Sequence, residues 1–157
     1  MEENSVLLKD LLPVMKEVLS QGGEFRVHPQ GVSMLPYLRE GRDTVILSAF
    51  SAPPRRGDLL LYTRPSGTLV LHRVVKVDKD GSLWMRGDNQ YFTEKGIKPE
   101  QVLATVKRVL RNGKEVGVNA LPSRLYRARR TATYPARRVW RAVARRAKNL
   151  FGRGRNV

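Results

Sequence analysis

Between Ser5 and Ser20 apolar residues recur three and four positions apart, with Val6, Leu7, Leu11, Val14, Met15 and Val18 on one side and Lys9, Asp10, Lys16 and Glu17 on the other. That period predicts an amphipathic helix, ended by Gly22-Gly23, with Pro13 able to kink it. Beyond Gly23 the period shortens to that of strands. Glu24–Pro29, Thr44–Leu47, Asp58–Thr63, Thr68–Val77, Ser82–Arg86 and Val102–Leu110 are short β-branched or aliphatic runs, and Pro53-Pro54, Pro65-Ser66-Gly67, Asp80-Gly81 and Asn112-Gly113 punctuate them as turns. Short strands joined by tight turns imply a mainly β fold, a coiled, antiparallel, barrel-like sheet. The expected organisation is an N-terminal helix over residues 1–23, a β domain over 24–120 and a helical tail over 121–157.

Charge separates the last of these from the rest. Residues 1–120 carry 18 Lys/Arg against 14 Asp/Glu, whereas residues 121–157 carry 12 Lys/Arg and no acid. The body is nearly neutral and the tail is a cation, which seeks phosphate on an anionic membrane surface or on nucleic acid. In the stretch 136–151, Val139, Trp140, Val143, Ala144, Ala147, Leu150 and Phe151 fall at helical spacing, with Arg137, Arg138, Arg141, Arg145 and Arg146 between them. That is the pattern of a basic amphipathic helix suited to a lipid interface, and nucleic acid is the weaker expectation. A helix docked on its own domain, or a disordered basic tail, would carry the same pattern.

Composition then removes whole classes of chemistry. The chain of 157 residues has no cysteine, which excludes disulfides, thiolate catalysis and cysteine-based metal sites. Its only histidines are His28 and His72, so a multi-histidine metal site is excluded and no cofactor is expected. No apolar run approaches the roughly 18 residues that span a bilayer. The first residues carry Glu2 and Glu3 where a secretory signal would be cationic. The expectation is a cytoplasmic protein without a transmembrane segment, peripheral at the inner face of the membrane if the tail binds lipid.

A hydrolase without metal or thiol needs a hydroxyl nucleophile, a base for its proton and a group to orient that base. His72 interrupts the aliphatic run Leu69-Val70-Leu71-His72-Arg73-Val74-Val75, where a buried imidazole needs a partner. Ser33, in Gly31-Val32-Ser33-Met34-Leu35-Pro36, lies between a strand and a helical turn. A serine there either caps the turn or presents an exposed hydroxyl, with Gly31 leaving room for a peptide. Arg86-Gly87-Asp88-Asn89 reads as a turn, and its Asp88 is a candidate to hold His72 in its working tautomer.

Taken in order, Gly31-Val32-Ser33-Met34-Leu35-Pro36, Gly41-Arg42-Asp43, Arg56-Gly57-Asp58-Leu59-Leu60-Leu61-Tyr62, Leu71-His72-Arg73-Val74-Val75 and Arg86-Gly87-Asp88-Asn89 resemble the type I signal peptidase superfamily, which also contains LexA-like repressors. The resemblance covers roughly residues 24–110. With histidine where bacterial signal peptidases use a lysine base, the chain is more similar to the endoplasmic reticulum and archaeal branch. The resemblance implies a serine endopeptidase that cleaves an extended peptide, such as a leader or signal peptide, with small residues on the acyl side. Ser33 is then the nucleophile, His72 the general base and Asp88 the orienting acid.

Three departures from that pattern stand out. The expected membrane-spanning segment is missing, Gly31 occupies a position often held by a serine of the oxyanion hole, and Glu94 is the sole counterpart of a second acid. Two other readings stay open. One is a non-catalytic peptide-binding module for peptide maturation, and the other is a basic nucleic-acid-binding protein, supported by the tail alone.

Overall fold

The computed structural model describes residues 10–118, 128–129, 132–134 and 139–140. The chain divides into two units, residues 1–120 and 121–157. Among the described residues of the first, a helix, α1 (Leu12–Ser20), precedes eight strands: β1 (Phe25–Val27), β2 (Asp43–Ser48), β3 (Leu59–Thr63), β4 (Leu69–Val77), β5 (Leu83–Arg86), β6 (Glu94–Ile97), β7 (Val102–Arg111) and β8 (Lys114–Gly117). Pro13 falls in the first turn of α1, where its missing N–H leaves no bond unmade, and the helical Asp10 is separated from α1 by a turn at Leu11. Residues 5–9 of the expected helix lie outside the described residues. Met15 and Leu19, four apart, are its buried positions.

All strand pairings are antiparallel, and the sheet runs β1-β2-β7-β3-β4-β5-β6, with β8 also on β7. The fold is thus mainly β, and the path ends at β1 and β6 as an open sheet among the described residues. Register shifts at Ile46/Leu47, Leu61/Tyr62, Val74/Lys76 and Leu83/Met85 bend it. The long β7 pairs β2 along one edge, while its other edge takes β3 at Val102–Thr105 and β8 at Arg108–Arg111.

β6 and β8 were not among the expected strands, and their sequences say why. Glu94-Lys95-Gly96-Ile97 buries only Ile97, and Lys114-Glu115-Val116-Gly117 is as polar, so neither shows an alternating apolar face. The turn before β8 was legible. Asn112 and Gly113 both have positive φ, 49° and 75°, the demand of a two-residue type I′ hairpin, and Arg111 accordingly pairs with Lys114.

One core cluster lies on a face of β3, β4 and β5, and the alternate positions Leu59 and Leu61 are buried as well. Leu60, Tyr62, Val70, Val74, Leu83, Met85, Ile97 and Val102 pack in that cluster, with Phe50 and Val77 at the margin. Strand alternation puts His72 on the same face as Val70 and Val74. Its imidazole is therefore set into the core, opposite Leu60 and diagonal to Tyr62.

In the second unit, described residues 128–129, 132, 134 and 139–140 are helical, and Val139 and Trp140 are exposed. The rest of the expected amphipathic helix, 136–138 and 141–151, lies outside the described residues. Among the described residues no helix is long and apolar enough to cross a membrane.

Candidate active site

The segment carrying Ser33 is a turn, 33–37, that folds back on itself through Leu35 N–H to Val32 O (3.2 Å) and Leu38 N–H to Met34 O (3.0 Å). Met34, Tyr37 and Leu38 are buried beneath it, and Ser33 is half-buried. Its far end is clamped at Asp43. That carboxylate accepts the Arg39 N–H (2.8 Å), Arg42 Nε (3.0 Å) and Nη2 (2.6 Å), and Arg111 Nε (3.0 Å). Arg42 and Arg111 also donate to Tyr37 O, at 3.1 and 2.7 Å. Gly41-Arg42-Asp43 thus anchors the serine turn to β2 and β7.

The near end is held by the turn after β5. Asn89 N–H donates to Ser33 O (2.7 Å), and Asn89 Nδ2 donates to Val32 O (3.1 Å). Gly87 is required at that junction by close approach. A Cβ on it would stand 2.7 Å from Ser33 O and 3.0 Å from His72 Nε2, against backbone and a buried ring. Gly87 is thereby the point at which the turn, the serine segment and the Nε2 edge of His72 come together.

Ser33 and His72 line one cavity of about 270 Å³, with Met34, Leu38, Val70 and Gln90 among its other walls. His72 is 1% exposed. Burial is the chief reason its imidazole is pushed down to about 4, helped by the charge of Arg64 and opposed by Glu94 and Asp88. At neutral pH the ring is therefore uncharged, the form that can accept a proton.

On its Nδ1 side His72 has Tyr62 Oη at 3.2 Å and Glu94 Oε1 at 3.5 Å. Glu94 is fixed by Arg64, which donates Nε to Oε2 (2.8 Å) and Nη2 to Oε1 (2.5 Å). Those bonds hold the Glu94 carboxyl below its ordinary value. Burial pushes the Tyr62 phenol up, so it stays protonated.

Asp88, expected to orient His72, gives both its oxygens to Arg73, at 2.9 Å from Nε and 2.8 Å from Nη2. Arg73 Nη1 also donates to Gly57 O (2.9 Å), and its guanidinium lies 4.9 Å from the centre of the Tyr37 ring. Asp88 therefore acts on His72 through its charge, while the acid 3.5 Å from Nδ1 is Glu94. Sequence reasoning passed over Tyr62 and Arg64. Tyr62 ends the motif run Leu59-Leu60-Leu61-Tyr62, and the signal that could have found it is a polar-tipped ring one alternation along the strand that faces His72. No family model matches the chain, and no curated protein matches it.

Proposed function

We propose that this protein is a serine endopeptidase of the signal peptidase type, acting through Ser33 and His72 on an extended peptide. The observation that carries the reading is a half-buried serine hydroxyl and a neutral, buried imidazole lining one cavity. The sheet adds a route for substrate. β4 pairs β3 from Leu69 but pairs β5 only from Arg73, and Leu69, Val70 and Leu71 line the same cavity. An extended peptide laid along that edge gains main-chain hydrogen bonds beside Ser33. The bends in the sheet suit the coiled architecture of the superfamily.

In the reaction, Ser33 Oγ attacks the scissile carbonyl carbon as its proton passes to His72 Nε2, and the Ser33 N–H supports the developing oxyanion. The C–N bond then breaks as His72 returns the proton to the leaving amine. Water hydrolyses the acyl-enzyme by the same base. The tail, with six Lys/Arg in residues 136–151, is assigned to an anionic membrane surface at the cytoplasmic face. Trp140, 71% exposed, is an interfacial anchor of the right kind.

The test is mass spectrometry after exposure to a serine-directed fluorophosphonate. One adduct in the wild type, absent from Ser33→Ala of unchanged stability to within about 1 kcal/mol, is expected. A protein that binds peptide but forms no adduct would instead be a peptide-binding module.

A further inference from the structure

Three side chains meet on the Nδ1 side of His72, and the direction of each hydrogen bond follows from what each group can donate. Glu94 is a carboxylate held by Arg64, so it only accepts. An Nδ1 lone pair would face the Glu94 carboxylate at 3.5 Å, so Nδ1 is the donor toward Tyr62, a protonated phenol whose own proton is left for the carboxylate. The phenol oxygen, 3.2 Å from His72 Nδ1, must then accept. Nδ1 therefore carries the ring hydrogen, and Nε2, the atom nearest Gly87, keeps its lone pair. The direct route is poorer: Glu94 Oε1 stands 3.5 Å from Nδ1, beyond the usual N–H···O range of about 2.7–3.2 Å.

We propose that Tyr62 is a positioning residue, the link through which the Glu94–Arg64 pair fixes the tautomer and orientation of His72. The inference rests on the reading of His72 as the base for Ser33. As His72 takes the Ser33 proton at Nε2, the imidazolium faces the Glu94 charge through the phenol, and the Nδ1 proton stays where it is. The other charges bearing on the ring are Arg64, beyond the end of β3, and Asp88, in the turn after β5 and paired with Arg73. Tyr62 reaches Nδ1 because it lies two residues along β3 from Leu60, the register partner of His72.

The experiment uses the full-length protein and needs no substrate. With two histidines in the chain, ¹⁵N imidazole spectra are assigned by His28→Gln. The expected wild-type form at neutral pH is Nδ1–H with an unprotonated Nε2. Tyr62→Phe should move the population toward Nε2–H and slow fluorophosphonate labelling of Ser33 about 10-fold, the scale of one hydrogen bond in a buried network. Glu94→Gln should act in the same direction, and the double variant should add little, because the two groups act in series. An Nε2–H wild type, or a Tyr62→Phe protein with native amide dispersion and an unchanged tautomer, overturns the proposal. The two readings separate cleanly. Ser33-dependent labelling with an unmoved tautomer in Tyr62→Phe sinks the link and spares the peptidase, whereas a moved tautomer without any labelling supports the link and sinks the peptidase.

Discussion

Asp43 and His72 are both polar side chains buried in the β domain, at 2% and 1% exposure, yet they are satisfied differently. Asp43 accepts four hydrogen bonds, which uses the whole acceptor capacity of a carboxylate. Such a group can hold shape and do little else. His72 has its Nδ1 side engaged by Tyr62 and Glu94, while the ring borders a cavity that it shares with a serine. Burial there does not end in saturation. A group kept in its neutral form beside open space is the kind that structures reserve for chemistry.

That contrast makes the largest predicted effect kinetic. His72→Gln should lower Ser33 labelling by about 10³-fold, within the usual range for a lost general base. Denaturant unfolding should show that the variant remains folded at neutral pH. Labelling at the wild-type rate in folded His72→Gln would remove the imidazole from the reaction.

The second prediction concerns acid. The unfolded chain binds a proton at a histidine near 6.5, whereas the folded chain accepts one at His72 only near 4, so between those values protonation favours the unfolded state. The stability contributed by a neutral His72 is complete above about pH 6.5 and is lost as pH falls through about 4. The loss amounts to about 3 kcal/mol at 1.36 kcal/mol per pH unit. Unfolding free energies measured across that window should fall more steeply in the wild type than in His72→Gln. Asp43, held below its ordinary value by its arginine partners, adds to the acid loss in both proteins, and so does Glu94, held down chiefly by Arg64 and in smaller part by His72.

Asp43→Asn probes the other member of the comparison. It leaves Arg42 and Arg111 facing an amide, and because both arginines are partly exposed the cost should sit near 2 kcal/mol. Labelling of the folded fraction should change only a few-fold, through a looser serine turn. A kinetic loss as large as that of His72→Gln would erase the distinction between the two sites.

How much of this was legible in the sequence follows the same division. Six strands, the Asn112-Gly113 turn and the candidates Ser33 and His72 were read from periodicity and from residues out of place in their strands, because strand alternation and turn chemistry are local. The partners of those residues were not. Asp88 follows Gly87 in a motif, but which cation it meets depends on Arg73 reaching from β4 to the turn after β5, and Glu94 approaches His72 only because β6 pairs β5 at Met85. Several conspicuous motifs, Gly41-Arg42-Asp43 and Arg56-Gly57-Asp58 among them, build clamps around Tyr37, Gly57 and Val74. A sequence shows that such residues recur together in a chain; it does not show whether they hold the site or work in it.

Gly87→Ala tests the junction at which the two kinds of residue meet. Its Cβ would press on Ser33 O and on His72 Nε2, so the variant should lose about 1 kcal/mol, the low end for overpacking, and label more slowly. Equal rates and stability would mean that the turn can retreat from the site without consequence.

The smallest effect expected at the site, namely none, comes from the tail. Replacing Arg137, Arg138, Arg141, Arg145 and Arg146 by Gln in the full chain removes five of the 12 basic residues of 121–157. Near an anionic leaflet each contributes on the order of 1 kcal/mol, screened by salt, so sedimentation with phosphatidylserine vesicles at low ionic strength should be lost. The proposed catalytic pair, Ser33 and His72, lies in the unit of residues 1–120, so labelling of Ser33 should stay at the wild-type rate. Trp140→Ala should weaken vesicle binding while leaving the salt dependence unaltered, because it removes apolar burial and no charge. Full-length protein that ignores such vesicles yet binds RNA with a steep salt slope would move the tail from lipid to nucleic acid and leave the assignment of Ser33 and His72 untouched.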